Sequence, residues 1–193
     1  AKCECVPLAI DVKAMAPSAA EAAEAARLRA AKKRPAIAFV GRLRYYKGLH
    51  VLLDAMREAA NAEAWIVGTG PEEARLRRQA ALLQAAGRVR FLGDLDDSAM
   101  KARLLAADIY CLPAHLRAEA FGLNQVEAMA YGLPVVSTDV GGVGYVNRDG
   151  ESGLVVPAGD SAALAAALNR LIQDKDLRAR LGEGARRRAE REF

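Results

Sequence analysis

Two glutamates, Glu119 and Glu127, stand eight positions apart between Pro113 and Gly142, with Phe121-Gly122-Leu123 between them. Paired carboxylates can act as acid and base, or they can hold hydroxyl groups. On one continuous helix, eight residues turn the second glutamate roughly 80° from the first and carry it about 12 Å along the axis, so they could not share a ligand. A helix entered near Gly122 changes this. Glu119 then sits on the preceding loop, and Glu127 sits in the second turn with its side chain leaning back toward the N-terminus. Both would border one site, beside the unpaired N–H groups of the first turn, where anions are favoured.

The opposing charge could come from Gly41-Arg42-Leu43-Arg44-Tyr45-Tyr46-Lys47-Gly48. Arg42 offers a fork of donors and Lys47 a point charge at a tight loop leading into a helix, which suits an anion. By itself the loop also fits an ordinary basic surface. Gly68-Thr69-Gly70 lacks both the dinucleotide glycine spacing and the Lys-Ser/Thr of a phosphate loop, and reads as a strand-to-helix turn at the cleft. His115 has no Asp or Ser at a telling position and reads as a polar liner, and His50 as scaffold. Asp94, Asp96 and Asp97 fit a helix cap and dipole complement better than a cation site, so no metal is expected.

These residues need elements to hold them. Short apolar runs at 36–40, 64–67, 89–92, 109–112, 134–137 and 153–156 read as strands. They alternate with amphipathic helices at 49–60, 72–86, 98–106, 123–131, 161–173 and 176–191. Such alternation implies βαβ crossovers and an α/β fold, a doubly wound parallel sheet with helices on both faces. The polar, glycine-containing loops at 41–48, 68–71, 93–98, 113–122 and 138–144 all follow strands and should gather at the carboxyl edge, where such sheets bind ligands. Residues 18–34 are rich in helix formers but hold only Leu28 as a large apolar anchor, which predicts an exposed, marginal helix.

The 193 residues, 52% apolar and 27% charged, suit one soluble core, with no apolar run near the roughly eighteen residues that span a bilayer. The polar start Lys2-Cys3-Glu4-Cys5, followed by Pro7, does not read as a signal peptide. The piece Val6–Val12 reads as a strand end, as though the chain begins in mid-protein. Cys3, Cys5 and Cys111 give no zinc spacing and fit a reducing compartment. The net charge of +4 owes much to Arg178, Arg180, Arg186, Arg187, Arg188 and Arg191, interleaved with acids on a C-terminal helix. That pattern reads as a solvated face rather than a nucleic-acid site.

Taken together, Gly41-Arg42, Lys47-Gly48, the run from Glu119 to Val136 with its E-x7-E spacing and Phe121-Gly122, Gly141-Gly142, and Asp149-Gly150 through Val156 form a known pattern. The sequence resembles the nucleotide-sugar-binding C-terminal domain of retaining family 4 glycosyltransferases of the GT-B fold, from about Pro7 to the C-terminus. The resemblance implies a Rossmann-like half of a two-domain enzyme that moves a hexose from an NDP-sugar to a glycan or lipid-linked acceptor. Arg42 and Lys47 would bind the diphosphate, Glu127 the ribose hydroxyls, and Glu119 the transferred sugar. Backbone N–H groups around Phe121, Gly122 and Leu123 would meet phosphate or sugar oxygens. Residues 90–96, with Arg90 and Leu92, would receive the base. Arg42, Lys47 and Glu119 would be the catalytic set. No cofactor or metal is implied, since two cations and a helix dipole can offset a departing diphosphate.

The resemblance divides the chain into residues 1–34, an incoming strand end and interdomain linker, and 35–193, the donor-binding domain. GDP-mannose is the first candidate donor and a UDP-hexose the second. The acceptor would be bound by an N-terminal domain that this chain lacks. The expected location is the cytoplasm, with any membrane contact peripheral and at the inner face. One departure is the run Val143-Gly144-Tyr145-Val146-Asn147, where many relatives carry a glutamate three residues after the glycine pair. The alternative reading is a non-catalytic α/β module that contacts a partner or membrane through its basic C-terminal helix.

Overall fold

The computed structural model describes residues 10–12 and 14–193; Cys3, Cys5 and most of the Val6–Val12 piece lie outside them. Six parallel strands form one sheet: β1 (Ala36–Val40), β2 (Glu63–Val67), β3 (Val89–Gly93), β4 (Ile109–Leu112), β5 (Val135–Thr138) and β6 (Gly153–Val156). Their order is β3-β2-β1-β4-β5-β6. This is the doubly wound, Rossmann-like order, and it reverses direction between β1 and β4. All residues of β1, β2, β4 and β5 are buried, as a sheet covered on both faces requires.

The helices are α1 (Ala19–Ala31), α2 (Leu49–Glu58), α3 (Glu73–Gln79), α4 (Ala81–Ala85), α5 (Asp97–Ala106), α6 (Leu123–Ala130), α7 (Val143–Val146), α8 (Ser161–Gln173) and α9 (Lys175–Glu192). Among them α2 packs on α3 and α8, α1 on α5, and α6 on α9. The helix expected over 72–86 bends at Ala80, which is fully buried. Its hydrogen bonds run on through the bend, from Ala80 N to Leu76 O and from Gln84 N to Ala80 O.

The first helix is mostly exposed, as expected, with Leu28 buried as its one large apolar anchor. Its polar ends secure it as well. Ser18 and Glu21 form a reciprocal capping box, with Glu21 N donating to Ser18 Oγ at 3.2 Å and Ser18 N to Glu21 Oε2 at 2.7 Å. Ala25 and Leu28 are buried, and small side chains let α1 sit close to α5. Past the end of α1, Lys32 donates to Ala106 O at 2.9 Å and pairs with Asp108, whose Oδ2 also accepts from Ala36 N at 2.7 Å. One aspartate thus fixes both α1 and the start of β1.

The arginines of α9 divide into two groups. Arg186 pairs with Glu190 at 2.9 Å and Arg187 with Glu183 at 3.7 Å, as a solvated face would. Two depart from that reading: Arg178 donates to Leu171 O at 2.8 Å at the end of α8, and Arg188 is buried, donating from Nε to Val146 O at 2.8 Å and from Nη2 to Tyr145 O at 2.7 Å. Arg188 thereby satisfies carbonyls at the end of α7. Asn147 is also fully buried and joins β5 to β6. Its Nδ2 donates to Val135 O, Ser137 Oγ and Leu154 O, while Oδ1 accepts from Ser152 Oγ at 2.9 Å. The run that departs from the family pattern therefore carries a structural node at Asn147, two residues past Tyr145, which stands where the relatives' glutamate would be.

Candidate functional site

The loops after β1 and β4 meet where the strand order reverses. Tyr45–Lys47 forms one 3-10 turn, closed by Gly48 at φ +71°, and a Cβ on Gly48 would lie 1.8 Å from Pro113 O. Only glycine permits both that backbone and that approach. His115 N donates to Tyr46 O at 3.0 Å and ties the same loops again. The Lys47 side chain folds across Gly41 and ends 2.6 Å from Glu119 Oε2. Both side chains of this pair are 10% exposed.

The loop after β5 closes on the same point. Gly142 N donates to Ala120 O at 2.8 Å, and a Cβ on Gly142 would sit 2.3 Å from that oxygen. Thr138 Oγ1 donates to Ala114 O from the same side. Glu119 is therefore held by backbone packing from both neighbouring loops. Gly122, at φ +76°, opens α6 and no side chain caps it. The first-turn N–H groups, around Leu123, are left open beside Glu119. The Phe121 ring is engaged elsewhere, edge-on to Phe193 at 5.8 Å, so this residue offers the site its backbone.

Glu127 is half-buried in α6 and lines a cleft of about 330 Å³ with Asp97, Met100 and Lys101. Burial, and then the Asp97 charge, raise its carboxyl pKa. The buried Tyr110 hydroxyl of β4, which donates to Val40 O at 3.3 Å, relates the two acids. Burial lifts its pKa most, and the charges of Glu127 and, more weakly, Glu119 lift it further. The two acids do not share a contact: Glu119 pairs with Lys47, and Glu127 lines its own cleft.

A second cleft of about 500 Å³ opens at the ends of β1, β2 and β3, lined by residues that include Arg42, Gly68, Thr69, Asp94, Leu95 and Met100. Met100 borders both this cleft and that of Glu127. The Gly68-Thr69-Gly70 turn is zipped onto the β1 loop, with Leu43 N donating to Thr69 O at 2.8 Å. Thr69 Oγ1 donates to Asp94 Oδ2 at 3.0 Å. Arg42 is exposed and, among the described residues, its side chain has no hydrogen-bonding or ion-pair partner.

Arg90 does not join this group. It is the second residue of β3, and its Nη2 lies 3.3 Å from Glu63 Oε2 at the first residue of β2, the far edge of a parallel sheet. Leu92 packs against the core. Of the range 90–96, Asp94 and Leu95 lie past the strand end and line the cleft that Arg42 borders. Asp96 caps α5 through Ala99 N at 2.8 Å, as its position suggested. Among the described residues, no three His, Cys, Asp or Glu gather as a metal site.

His50 and His115 form a packed group with Tyr45. Tyr45 stacks on His50 at 5.0 Å, and His115 meets both rings edge-on at 4.7 and 4.8 Å. Burial holds both imidazole pKa values down. His115 also lines a third cleft of about 680 Å³ with Arg117, Asp139 and Gly141. Cys111 is buried in β4, and burial alone raises its thiol pKa far above the ordinary value. No helix among the described residues is long and apolar enough to cross a membrane.

The family model described as glycosyl transferases group 1 matches residues 21–188. The D-rhamnosyltransferase WbpZ of Pseudomonas aeruginosa is 42% identical over 151 residues, covering 78% of this chain and 39% of the relative. The O-antigen chain mannosyltransferase C of Escherichia coli is 41% identical over 156 residues, covering 80% and 42%. Among solved structures, Anabaena Alr3699/HepE in complex with UDP superposes with a TM-score of 0.85 at 27% identity, covering 96% of this chain and 52% of that one. The same protein in complex with UDP-glucose gives 0.84. The chain spans about two fifths of the length of these curated relatives.

Proposed function

The chain belongs to the glycosyl transferases group 1 family, and on that premise we propose that it is the donor-binding half of a retaining hexosyltransferase using an NDP-sugar. The observation that carries this reading is the meeting of Lys47, Glu119 and the open start of α6 at the β1/β4 reversal, with Arg42, whose side chain has no partner among the described residues, on the same β1 loop.

In this reading the diphosphate sits against the first-turn N–H groups of α6, with Arg42 and Lys47 opposing its charge. The base enters the cleft at Thr69, Asp94 and Leu95, and Glu127 accepts the ribose hydroxyls. Glu119 accepts a hydroxyl of the transferred sugar. During transfer, the bond from the anomeric carbon to the diphosphate oxygen breaks and its electron pair leaves with the NDP. The acceptor hydroxyl oxygen bonds the same carbon from the same face, and its proton passes to the departing phosphate oxygen. Charge stabilisation of that oxygen is the chain's own contribution, as fixed cations and dipoles are most effective where charge develops.

The full activity requires an N-terminal domain that binds the acceptor, a glycan or a lipid-linked sugar, and residues 1–34 would be the connection to it. Mannose from GDP-mannose is the first candidate, supported by the mannosyltransferase named among the relatives, with a UDP-hexose second. The site offers Arg42, Lys47 and a helix N-terminus in place of a metal ion, and needs no other cofactor in this reading.

Calorimetric titration of the 193-residue chain with GDP-mannose, UDP-glucose, GDP and UDP tests the proposal. Binding by at least one pair, unchanged by a chelator and weakened about tenfold or more by Arg42→Ala, is the expected result. Failure of all four ligands to bind would count against it.

A further inference from the structure

The two residues assigned to different parts of the donor are bound to each other. Lys47, meant for phosphate, and Glu119, meant for sugar, form a buried ion pair 2.6 Å long. A buried pair of this kind is costly to break on one side, because the abandoned partner keeps its charge without water. The Arg42 side chain, by contrast, has no partner among the described residues and can meet an anion at no such cost.

We propose that the Lys47–Glu119 pair discriminates between the intact nucleotide-sugar and the free nucleoside diphosphate left after transfer, an inference that rests on the donor-binding reading above. A free diphosphate must draw Lys47 from Glu119, or share it, and brings nothing to the carboxylate. The distal phosphate then places added negative charge beside a buried carboxylate, which is repulsive at short range. An intact donor brings a sugar hydroxyl that can donate to Glu119 as Lys47 turns to phosphate. Both members of the pair exchange one partner for another, and neither is left alone. Breaking the sugar–phosphate bond removes that compensation and restores Lys47 to Glu119, which favours release of the diphosphate.

The geometry makes this a property of the tertiary contact. The aliphatic stem of Lys47 lies over Gly41, where a Cβ would be 3.4 Å from Cε, so the absence of a side chain there lets the ammonium group reach Glu119. Glu119 is fixed by the backbone contacts of Gly141 and Gly142, and a Cβ on Gly141 would lie 2.8 Å from Glu119 O. Competition for Lys47 is therefore decided by which ligand satisfies Glu119.

The test compares affinities for UDP, GDP, UDP-glucose and GDP-mannose in the wild-type chain, Glu119→Gln and Glu119→Ala, with circular dichroism melting to confirm folding of each. The expected result is that both variants bind the free diphosphate about tenfold or more tightly than wild type does. The ratio of sugar-loaded to free affinity should fall in both. Free diphosphate bound no more tightly by either folded variant, with wild type still binding donor, overturns the inference and leaves the donor reading standing. Wild type binding none of the four overturns that reading, and this inference with it.

Discussion

Lys47 Nζ lies 2.6 Å from Glu119 Oε2, although 72 positions separate the two residues in sequence. The contact closes the β1 loop on the β4 loop and leaves the site with one cation already paired. Lys47→Met should leave Glu119 buried without a partner and cost about 3–5 kcal/mol in urea denaturation. Adding Glu119→Leu should recover most of that loss. A double variant as unstable as Lys47→Met would show that the pair does not hold the loops together.

Gly142→Ala should fail for lack of room, since Gly142 has φ −78° and ψ −7°, a backbone any residue adopts. Its Cβ would sit 2.3 Å from Ala120 O, so the β5 loop must move off the loop that carries Glu119. We expect a loss of about 1–3 kcal/mol and weaker nucleotide binding. Gly150→Ala provides the contrast: φ is +73° and nothing lies within 4 Å, so about 1–2 kcal/mol should be lost with binding unchanged. Equal effects of the two on affinity would contradict the packing argument.

Asn147→Ala removes the group that joins β5, β6 and Ser152 in the core. Several buried partners lose their bond at once, so a cost of about 3 kcal/mol is expected in thermal unfolding. A loss within 0.5 kcal/mol, roughly that of an ordinary surface substitution, would show that the node carries little.

His50 and His115 both have pKa values lowered by burial, with further lowering of His50 by the charge of His115 and then Arg75. For a lowered histidine the unfolded chain takes up protons first. Stability is therefore full above the ordinary histidine pKa, about 6.5, and falls as pH drops through the lower folded values. Melting temperatures of wild type should decline from pH 7.5 to 5.5. The double variant His50→Phe/His115→Phe should decline less over the same interval, and parallel curves would refute the assignment.

The fold was legible because its signals are local. Apolar runs at Ala36–Val40 and Ile109–Leu112 are strands with the expected bounds, and alternation with helices suffices to imply a parallel sheet. The entry of α6 at Gly122 could also be read, since Phe121-Gly122 interrupts any helix that would have carried both glutamates. Arg90 was misplaced because residue type and nearness in sequence to a strand end say nothing of which sheet edge a side chain serves. Arg188 looked like one more arginine on a charged helix, and no spacing rule distinguishes the one that turns inward to Tyr145 O and Val146 O. The anchoring of α1 was missed for a similar reason, because Lys32 finds Asp108 across a fold rather than along a helix.

By itself, the sequence determined the doubly wound sheet, the gathering of glycine-containing loops at one edge, and the residue types available there: two cations, two carboxylates and an uncapped helix start. These follow from periodicity, backbone freedom and formal charge, which are properties of short stretches. Only the tertiary structure decided that Lys47 and Glu119 are each other's partners while the Arg42 side chain has none among the described residues, and that Glu127 faces a separate, half-buried cleft beside Asp97. Pairing and burial depend on how distant loops approach. That approach is set here by close backbone contacts at Gly48 against Pro113 and Gly142 against Ala120, contacts that leave no periodic trace in the chain.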